Sequence, residues 1–365
     1  MWFLMLVMLL EEPEIRLYED LEIYQPITHD MVAVTERGEL FVLDTKEKTV
    51  LRFAPDGSRL ENIGSKGQGP GELEWPRAVY VVNDQLVVSE HSRANVYSLD
   101  GEPIRLVSGP GSVYYPTSSG WITSESQYSL EEDTEASLLW LDPSGRDSHK
   151  THQWKRDKIN GSVPFIIIDG AMTYNFAPAP ERLFVRPSSD DQHIYVRFPS
   201  SKQILVLNPE GVQVGTIELP KQNLTFNEYW ADQLVEEVSK KFKKGGSVKS
   251  VKVNPLYPEF FPTVMLMWEG PDGLVYVEQW TSSPGKNRKV LAYGAKGNVK
   301  KPGYTPDELT RIVAHKGDWA VITLWDKENE EASLALCKKA DIKTVIASNE
   351  FDDSEMADFW ERLVD

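Results

Sequence analysis

The chain has 365 residues, of which 41% are hydrophobic and 10% aromatic, so it is suited to one large all-β domain or two ordinary domains and not to wholesale disorder. Its formal net charge of −17 argues against binding to a nucleic-acid backbone, because that binding requires a concentrated basic surface. Cys337 is the single cysteine, which excludes an intramolecular disulfide bond, and its apolar strand context predicts a buried, inert thiol.

The first ten residues, Met1 to Leu10, are all apolar and are followed by two glutamates. Ten residues are too few to cross a bilayer as a helix. The segment resembles the hydrophobic region of a signal peptide, although a basic segment and a small-residue cleavage site are missing. We therefore expect residues 1–12 to be an export-signal remnant and the protein to be periplasmic or at the cell surface. The alternatives are that the segment is part of the fold and that the protein is cytoplasmic.

A strand followed by a small polar turn and a glycine recurs along the chain, which is the pattern of a β-hairpin. The copies are VLRFAPDG, NVYSLDG, LLWLDPSG, ILVLNPEG and VLAYGAKG, ending at Gly57, Gly101, Gly145, Gly211 and Gly297. The glycines are 44, 44, 66 and 86 residues apart, and a sixth, degenerate copy runs from Leu334 to Asp341.

Another pair of alternating strands precedes each copy. The segment from Ala78 to Glu90, for example, aligns without gaps with the segment from Val113 to Glu125. With a fourth strand after each glycine, the pattern predicts six units of four antiparallel strands. We therefore predict an all-β, six-bladed β-propeller as one domain over residues 13–350. The alternating segment from Glu14 to Tyr24 is predicted to supply the outer strand of the sixth blade and to close the ring.

Two helices are predicted outside the repeat. Within an insertion over residues 219–262, apolar residues recur at helical spacing near residues 226–243. A second apolar stripe lies in residues 351–365, behind candidate N-cap aspartates. We expect both helices to pack against the propeller.

The stretch from Ile63 to Pro76, IGSKGQGPGELEWP, follows the first hairpin turn. It resembles bacterial six-bladed β-propellers of the TolB-like type that are related to NHL repeats. The stretch from Pro258 to Val277 also resembles them. The resemblance implies the propeller fold and an exported location, and it implies no catalytic residues, because the family has no agreed chemistry. The later copies lack the aspartate and arginine that are usual in NHL repeats.

The strands of each blade can be lettered A to D from the axis outwards. The short A–B and C–D turns are then expected on one face, and the long B–C and inter-blade connections on the other. Loops on a rigid scaffold commonly carry binding groups, so the second face is the predicted site. Candidate ligand-binding residues lie where the B strands reach this face: Asp44, Glu90, Glu125, Arg197 and Glu278, with Trp280 and Trp325 following. An acidic rim with aromatic platforms suits a cation, a basic peptide or a sugar. The alternative is that each carboxylate caps its own turn.

The leading functional hypothesis is a non-enzymatic binding propeller, monomeric, with a protein, peptide or saccharide ligand and no nucleic acid. The alternative is a divalent-metal-dependent hydrolase or lyase of the lactonase type, with its site at the central channel. Its ligands would have to come from strand ends such as Asp30, Asn83 or Glu269, because the predicted A strands contain no Asp, Glu or Asn. No cofactor is expected, with Ca²⁺ as the one ion left open. His29 and His315 could serve a serine nucleophile, but no G-x-S-x-G motif is present.

Overall fold

The structure, a computed structural model, describes residues 16–18, 28–126, 134–156, 165–168, 171–174, 183–199, 201–220, 236, 251–254, 264, 266–279, 289–301, 303–304, 311–326 and 331–348. The apolar segment 1–10 and the helix predicted in 351–365 lie outside these residues. Within the helix predicted near 226–243 only Glu236 is described, and it is helical.

Six antiparallel sheets form the blades of a propeller, which confirms the predicted fold. The strands of blades 1 to 3 are β2 (Val32–Val34), β3 (Leu40–Asp44) and β4 (Thr49–Phe53); β7 (Pro76–Val82), β8 (Gln85–Glu90), β9 (Arg93–Ser98) and β10 (Pro103–Ser108); and β11 (Tyr114–Pro116), β12 (Trp121–Ser126), β13 (Thr134–Leu141) and β14 (Ser148–Arg156). The strands of blades 4 to 6 are β17 (Phe184–Pro187), β18 (Ile194–Arg197), β19 (Gln203–Leu207) and β20 (Gln213–Glu218); β22 (Leu266–Glu269), β23 (Val275–Gln279), β24 (Lys289–Tyr293) and β25 (Val299–Lys300); and β26 (Ile312–Lys316), β27 (Trp319–Asp326) and β28 (Glu331–Lys338), with β1 (Arg16–Tyr18) at the outside.

Three groups of elements stand outside this pattern. The parallel pair β5 (Ser65–Lys66) and β6 (Glu72–Leu73) lies in the connection between blades 1 and 2. A separate antiparallel sheet contains β15 (Phe165–Ile168), β16 (Ala171–Tyr174) and β21 (Val251–Asn254). After β28, a 3-10 turn (Lys339–Asp341) leads into the short helix α1 (Ile342–Ser348).

The ring closes through the start of the chain, as the sequence predicts. Strand β1 pairs antiparallel with β28, with Leu17 opposite Ala335, and so becomes the fourth strand of blade 6. In blade 1 the outer position belongs to the segment from Arg59 to Ile63, which bridges β4 at Phe53 and Val50. Pairing of the two ends within one sheet protects strand edges that would otherwise be open.

The glycines of the repeat end the C–D turns and have φ values between +74° and +92°. They also set the contact between blades. A methyl group at Gly145 would lie 2.6 Å from Val107 Cγ1, on the outer strand of blade 2. At Gly297 it would lie 2.6 Å from the Thr216 carbonyl oxygen, on the outer strand of blade 4. The recurring glycine is therefore required both by the turn and by the packing of each turn on the preceding blade.

The core lies between adjacent blades. Ile204 and Ile217 of blade 4, for example, pack with Met267 and Val277 of blade 5 in one buried cluster. Both faces of each sheet are covered, which accounts for the apolar runs in the inner strands. Cys337 is fully buried on β28, and burial raises the pKa of its thiol to about 12, as expected for an inert cysteine.

Each inner strand runs towards a short turn, so the six A–B turns gather on one face of the ring. These turns, at residues 35–39, 83–84, 117–120, 188–193, 270–274 and 317–318, define the short-turn face. The opposite side, which carries the B–C and inter-blade connections, is the long-loop face. In the part of the chain that the structure describes, no helix has the length and apolar character needed to span a membrane.

Candidate functional site

The rim residues that begin the B–C turns are largely occupied with their own backbone. Asp44 is buried, and its Oδ1 accepts hydrogen bonds from the backbone nitrogens of Lys46 and Glu47, both at 2.9 Å. Glu90 is 2% exposed, and its Oε1 accepts the backbone N–H groups of Glu74 and Trp75 at 2.6 and 2.7 Å. Asp44 therefore caps its own turn, as the alternative interpretation of these carboxylates predicts. Glu90 acts in the same way on the neighbouring inter-blade loop.

The other rim residues are not brought together as one surface. Arg197 and Glu278 are buried within their blades, whereas Glu125 is exposed. Trp280 and the side chain of Trp325 lie outside what the structure describes. The rim as a ligand site stays a prediction.

A cavity of about 150 Å³ lies instead on the axis of the ring, between the inner strands. Its walls come from β2, β7, β17, β22 and β26 and from the residues that flank them. Much of the lining is aliphatic, such as Val32 and Val79, and Trp268 adds an aromatic wall. Against this background a small number of charged and polar side chains stand out, which is the usual make-up of a small-molecule site.

Arg186 and Asp30 form an ion pair across this cavity. Arg186 lies on β17 of blade 4, and Asp30 lies just before β2 of blade 1, which is the opposite blade in a ring of six. Arg186 Nη1 donates to Asp30 Oδ1 at 2.8 Å, and Nη2 donates to Oδ2 at 3.2 Å. Nε of Arg186 also donates to the Met267 carbonyl at 3.3 Å. Deep within the propeller the two side chains remain 24% and 35% exposed, because they face the cavity.

A second ion pair bridges the end of the cavity at the short-turn face. Lys316, at the end of β26, donates from Nζ to Asp191 Oδ2 at 2.7 Å and to the Val81 carbonyl at 3.0 Å. These partners belong to blades 4 and 2, so one lysine joins three alternate blades and must lie near the axis. The Ser118 hydroxyl donates to the Asp191 carbonyl at 3.2 Å and extends the bridge to blade 3. This end of the channel is therefore spanned by protein groups.

Two neutral histidines belong to the same wall. Burial, followed by the charge of Arg186, lowers the pKa of His29 to about 4, and burial lowers that of His315 to about 4. The His29 ring hydrogen bonds to the backbone of Ile312, and His315 Nε2 lies 3.0 Å from the Glu269 carbonyl oxygen. A carbonyl oxygen only accepts, so each of these contacts takes the one ring N–H and leaves the second ring nitrogen as an acceptor. His29 Nε2 and His315 Nδ1 have no partner among the residues described.

Glu269 is the group in the wall that titrates near neutrality. Its Oε2 accepts the backbone N–H of Ser189 at 2.6 Å, but burial outweighs this bond and raises the pKa to about 7. Close by, the Tyr80 hydroxyl and the indole nitrogen of Trp268 are buried with no partner within the described part of the chain. Buried groups left unsatisfied and carboxyls with shifted pKa values concentrate at functional sites. The arrangement can donate and accept hydrogen bonds and can exchange a proton near pH 7.

The metal ligands proposed for the channel are only partly assembled. Asp30 and Glu269 line the cavity, whereas Asn83 lies on an exposed turn and donates from Nδ2 to the Ser118 carbonyl at 2.9 Å. The Asp30 carboxylate is engaged by Arg186, which reduces its affinity for a cation. Over the described ranges, no group of three or more His, Cys, Asp and Glu side chains is placed to hold a metal ion.

The sequence matches no family model and no curated protein. Solved structures similar to this chain include a member of the DUF4221 family from Bacteroides vulgatus, with 10% identity and a TM-score of 0.45 over 90% of this chain and 98% of the other. A Bacteroides fragilis protein considered to be exported is 11% identical, with a TM-score of 0.44 over 89% and 94% of the two chains. A streptogramin B lyase is 9% identical, with a TM-score of 0.41 over 89% and 97%. Sequence identities and TM-scores this low do not indicate what this chain does.

Proposed function

We propose that this protein is a non-enzymatic binding propeller that holds a small polar molecule in its axial channel. The observation that carries the proposal is the Arg186–Asp30 pair, which lies on the axis and still faces open space. Exposure to the cavity spares both ions part of the desolvation cost that complete burial would carry. It also leaves polar atoms of the pair accessible, so that a ligand in the channel can form hydrogen bonds with them.

Access to the channel is proposed from the long-loop face. Lys316, Asp191 and Val81 span the short-turn end, so a molecule entering there would have to break two hydrogen bonds of one partly buried lysine. The opposite end lies on the long-loop face, to which the segment from Ile63 to Pro76 belongs. Loops in that position commonly select the ligand of a rigid scaffold. The ligand would therefore enter from the predicted long-loop face, and the groups that bind it would lie inside the ring.

The test is a ligand screen with matched variants. Purified full-length protein would be screened against a library of small metabolites by thermal shift and ligand-observed NMR, and the hits measured by calorimetry. Asp30→Asn combined with Arg186→Gln removes both charges and leaves no unpaired ion; the first change keeps the side-chain size and the second shortens the side chain. We expect this double variant to weaken binding at least about tenfold. Arg52→Gln removes an arginine paired with Glu39 and Asp100 outside the cavity, and it should leave affinity unchanged.

Hits whose affinity is the same for the wild type and the double variant would overturn the channel proposal. A loss of affinity in Glu125→Gln would return the site to the predicted rim, where Glu125 is the exposed carboxylate. Thermal unfolding of each variant without ligand separates a loss of binding from a loss of folding.

A second candidate is an enzyme that uses acid–base chemistry at the same place. It is favoured by Glu269, whose pKa of about 7 suits a group that gives up and takes back a proton, and by the neutral ring of His315 beside it. Esters and lactones, with and without added Ca²⁺, are the substrates to screen. Turnover that is abolished in Glu269→Gln while ligand affinity is kept would establish this candidate over the binding protein.

We also propose that the propeller belongs to the NHL-related group and acts outside the cytoplasm. The support is the GQGPGE stretch from Gly67 to Glu72, before blade 2, together with the apolar residues 1–10. Cell fractionation and protease accessibility of the native protein test the location. Exclusive recovery from the cytoplasmic fraction would overturn it.

A further inference from the structure

We infer that the channel ligand is a compact, uncharged molecule carrying several hydroxyl groups, of monosaccharide size or smaller. This inference rests on the proposed binding function and adds the chemical class of the guest. It follows from the balance of charge in the cavity, from the pairing of donors with acceptors and from the nature of the walls.

The charges that line the cavity cancel one another. Asp30 is paired with Arg186, and Asp191 is paired with Lys316, at 2.8 and 2.7 Å. The two histidines are neutral at physiological pH, and Glu269 is close to half-protonated there. An ionic guest transferred from water into this space would meet no unmatched opposite charge, so its desolvation would not be compensated. The negative charge of the whole chain would further oppose an anion.

The accessible polar groups are a donor and an acceptor side by side. Arg186 donates four of its five N–H groups to Asp30, Met267 and Val185, so the second N–H of Nη2 is left for a ligand, and the exposed part of Asp30 offers carboxylate oxygens. A hydroxyl group donates and accepts at the same atom, so it can bond to both residues at once. A carboxylate guest could only accept and an ammonium guest could only donate, so each would leave one half of the pair unsatisfied. Adjacent hydroxyls are therefore the best match to this pair.

The remaining walls suit the carbon skeleton of such a molecule. Val32, Val79 and the indole of Trp268 present apolar surface around the polar pair. Aromatic and aliphatic walls with a few fixed polar groups are the general composition of sites for small ligands. The cavity volume of about 150 Å³ matches that of an engineered protein cavity that takes up benzene. A molecule with one six-membered ring is therefore of suitable size.

The test compares one ring in three charge states. Glucose, glucuronate and glucosamine would be titrated into the full chain by calorimetry and ligand-observed NMR, together with the uncharged polyols glycerol, erythritol and myo-inositol. We expect at least one uncharged compound to bind, and the charged counterpart of a bound sugar to bind at least about tenfold more weakly. The Asp30→Asn, Arg186→Gln variant should lose this binding and the control variant Arg52→Gln, outside the cavity, should keep it.

Two results would overturn the inference: equal or tighter binding of the charged compounds, or no binding of any uncharged polyol at millimolar concentration. The outcome also separates this inference from the proposed function. A charged ligand whose affinity falls in the double variant contradicts the ligand class and leaves the channel as the site. A ligand indifferent to the double variant contradicts both.

Discussion

Arg186 and Asp30 lie 156 residues apart in the sequence and meet across the axis of the ring through hydrogen bonds of 2.8 and 3.2 Å. Burial works against the charge of Arg186, but Asp30, Tyr80 and Tyr115 outweigh it, so the pKa of the guanidinium is raised and Arg186 stays charged. The pair connects blade 4 with the chain entering blade 1, and it gives the channel a fixed polar centre.

The first prediction contrasts two glutamates that occupy aligned positions in blades 2 and 3. Glu90 accepts two backbone N–H groups and is also paired with Arg93, whereas Glu125 is exposed. Glu90→Gln should lower the free energy of unfolding by about 2–4 kcal/mol, because the buried pair is broken and an amide replaces a four-fold acceptor. Glu125→Gln should change it by less than about 0.5 kcal/mol. Urea unfolding monitored by tryptophan fluorescence measures both, and similar effects of the two changes would refute the capping role of Glu90.

The second prediction concerns the glycine of the repeat. Gly145 has φ +74° and lies against Val107, whereas Gly273 has φ +70° and open space around it. Gly273→Ala should cost only the backbone strain, about 1–2 kcal/mol. Gly145→Ala should cost about 1–3 kcal/mol more, because the added methyl group collides with the preceding blade. Adding Val107→Ala should relieve the collision and restore part of the lost free energy of unfolding. The restoration should be incomplete, because the shorter side chain at position 107 leaves a cavity. Equal losses in the two single variants, measured by chemical unfolding, would show that the glycine is needed only for the turn.

The third prediction addresses Lys316 as the bridge at the short-turn end. Lys316→Met keeps the aliphatic stem and removes two hydrogen bonds, so it should lower the free energy of unfolding by about 1–3 kcal/mol. Asp191→Asn should cost less, since burial already raises the pKa of this carboxyl. The two changes should couple by at least about 0.5 kcal/mol in a double-mutant cycle. Strict additivity would mean that the contact contributes nothing measurable to joining the blades.

The fourth prediction is a dependence of stability on pH with two opposing parts. The pKa values of His29 and His315 fall from 6.5 to about 4 on folding, so the unfolded chain binds more protons between these values and stability is lost as the pH falls through that window. The pKa of Glu269 rises from 4.5 to about 7, so its contribution is present at low pH and is lost as the pH rises through 7.

Variants separate these two parts. His315→Gln should flatten the acid-side loss by up to about 1.4 kcal/mol per pH unit, whereas Glu269→Gln should flatten the loss towards pH 7. Urea midpoints measured from pH 4 to pH 8 test the signs. A slope that steepens on the acid side in His315→Gln would contradict the buried, neutral state of this ring.

The fold could be predicted from the sequence because its signals are local and repeated. The hairpin glycines, the paired alternating strands and the segment that closes the ring all reflect contacts between neighbours in the chain or between equivalent blades. The connection from Ile63 to Pro76 is held by the blade that follows it: Arg93 of blade 2 donates to the carbonyls of Gln68 and Glu72, which keeps the glycine-rich loop in place.

The channel was harder to predict because its members meet only when the ring closes. The strand-end hypothesis identified Asp30 and Glu269, but Arg186 and Tyr80 were overlooked inside apolar inner strands. A charged residue within such a strand, as in LFVRP, was the available signal, since it must face either the core or the axis. The rim carboxylates, by contrast, are easy to find because they occupy equivalent positions when the blades are aligned. In the structure, however, Asp44 and Glu90 accept hydrogen bonds from backbone N–H groups.

The most direct measurement is a crystal structure of the protein with the tightest compound from the ligand screen. We predict electron density for the compound on the axis, within hydrogen-bond distance of Arg186 and Asp30, with the Lys316–Asp191 bridge intact on the short-turn side. Density on the outer long-loop face, with the channel holding only water, would contradict the account.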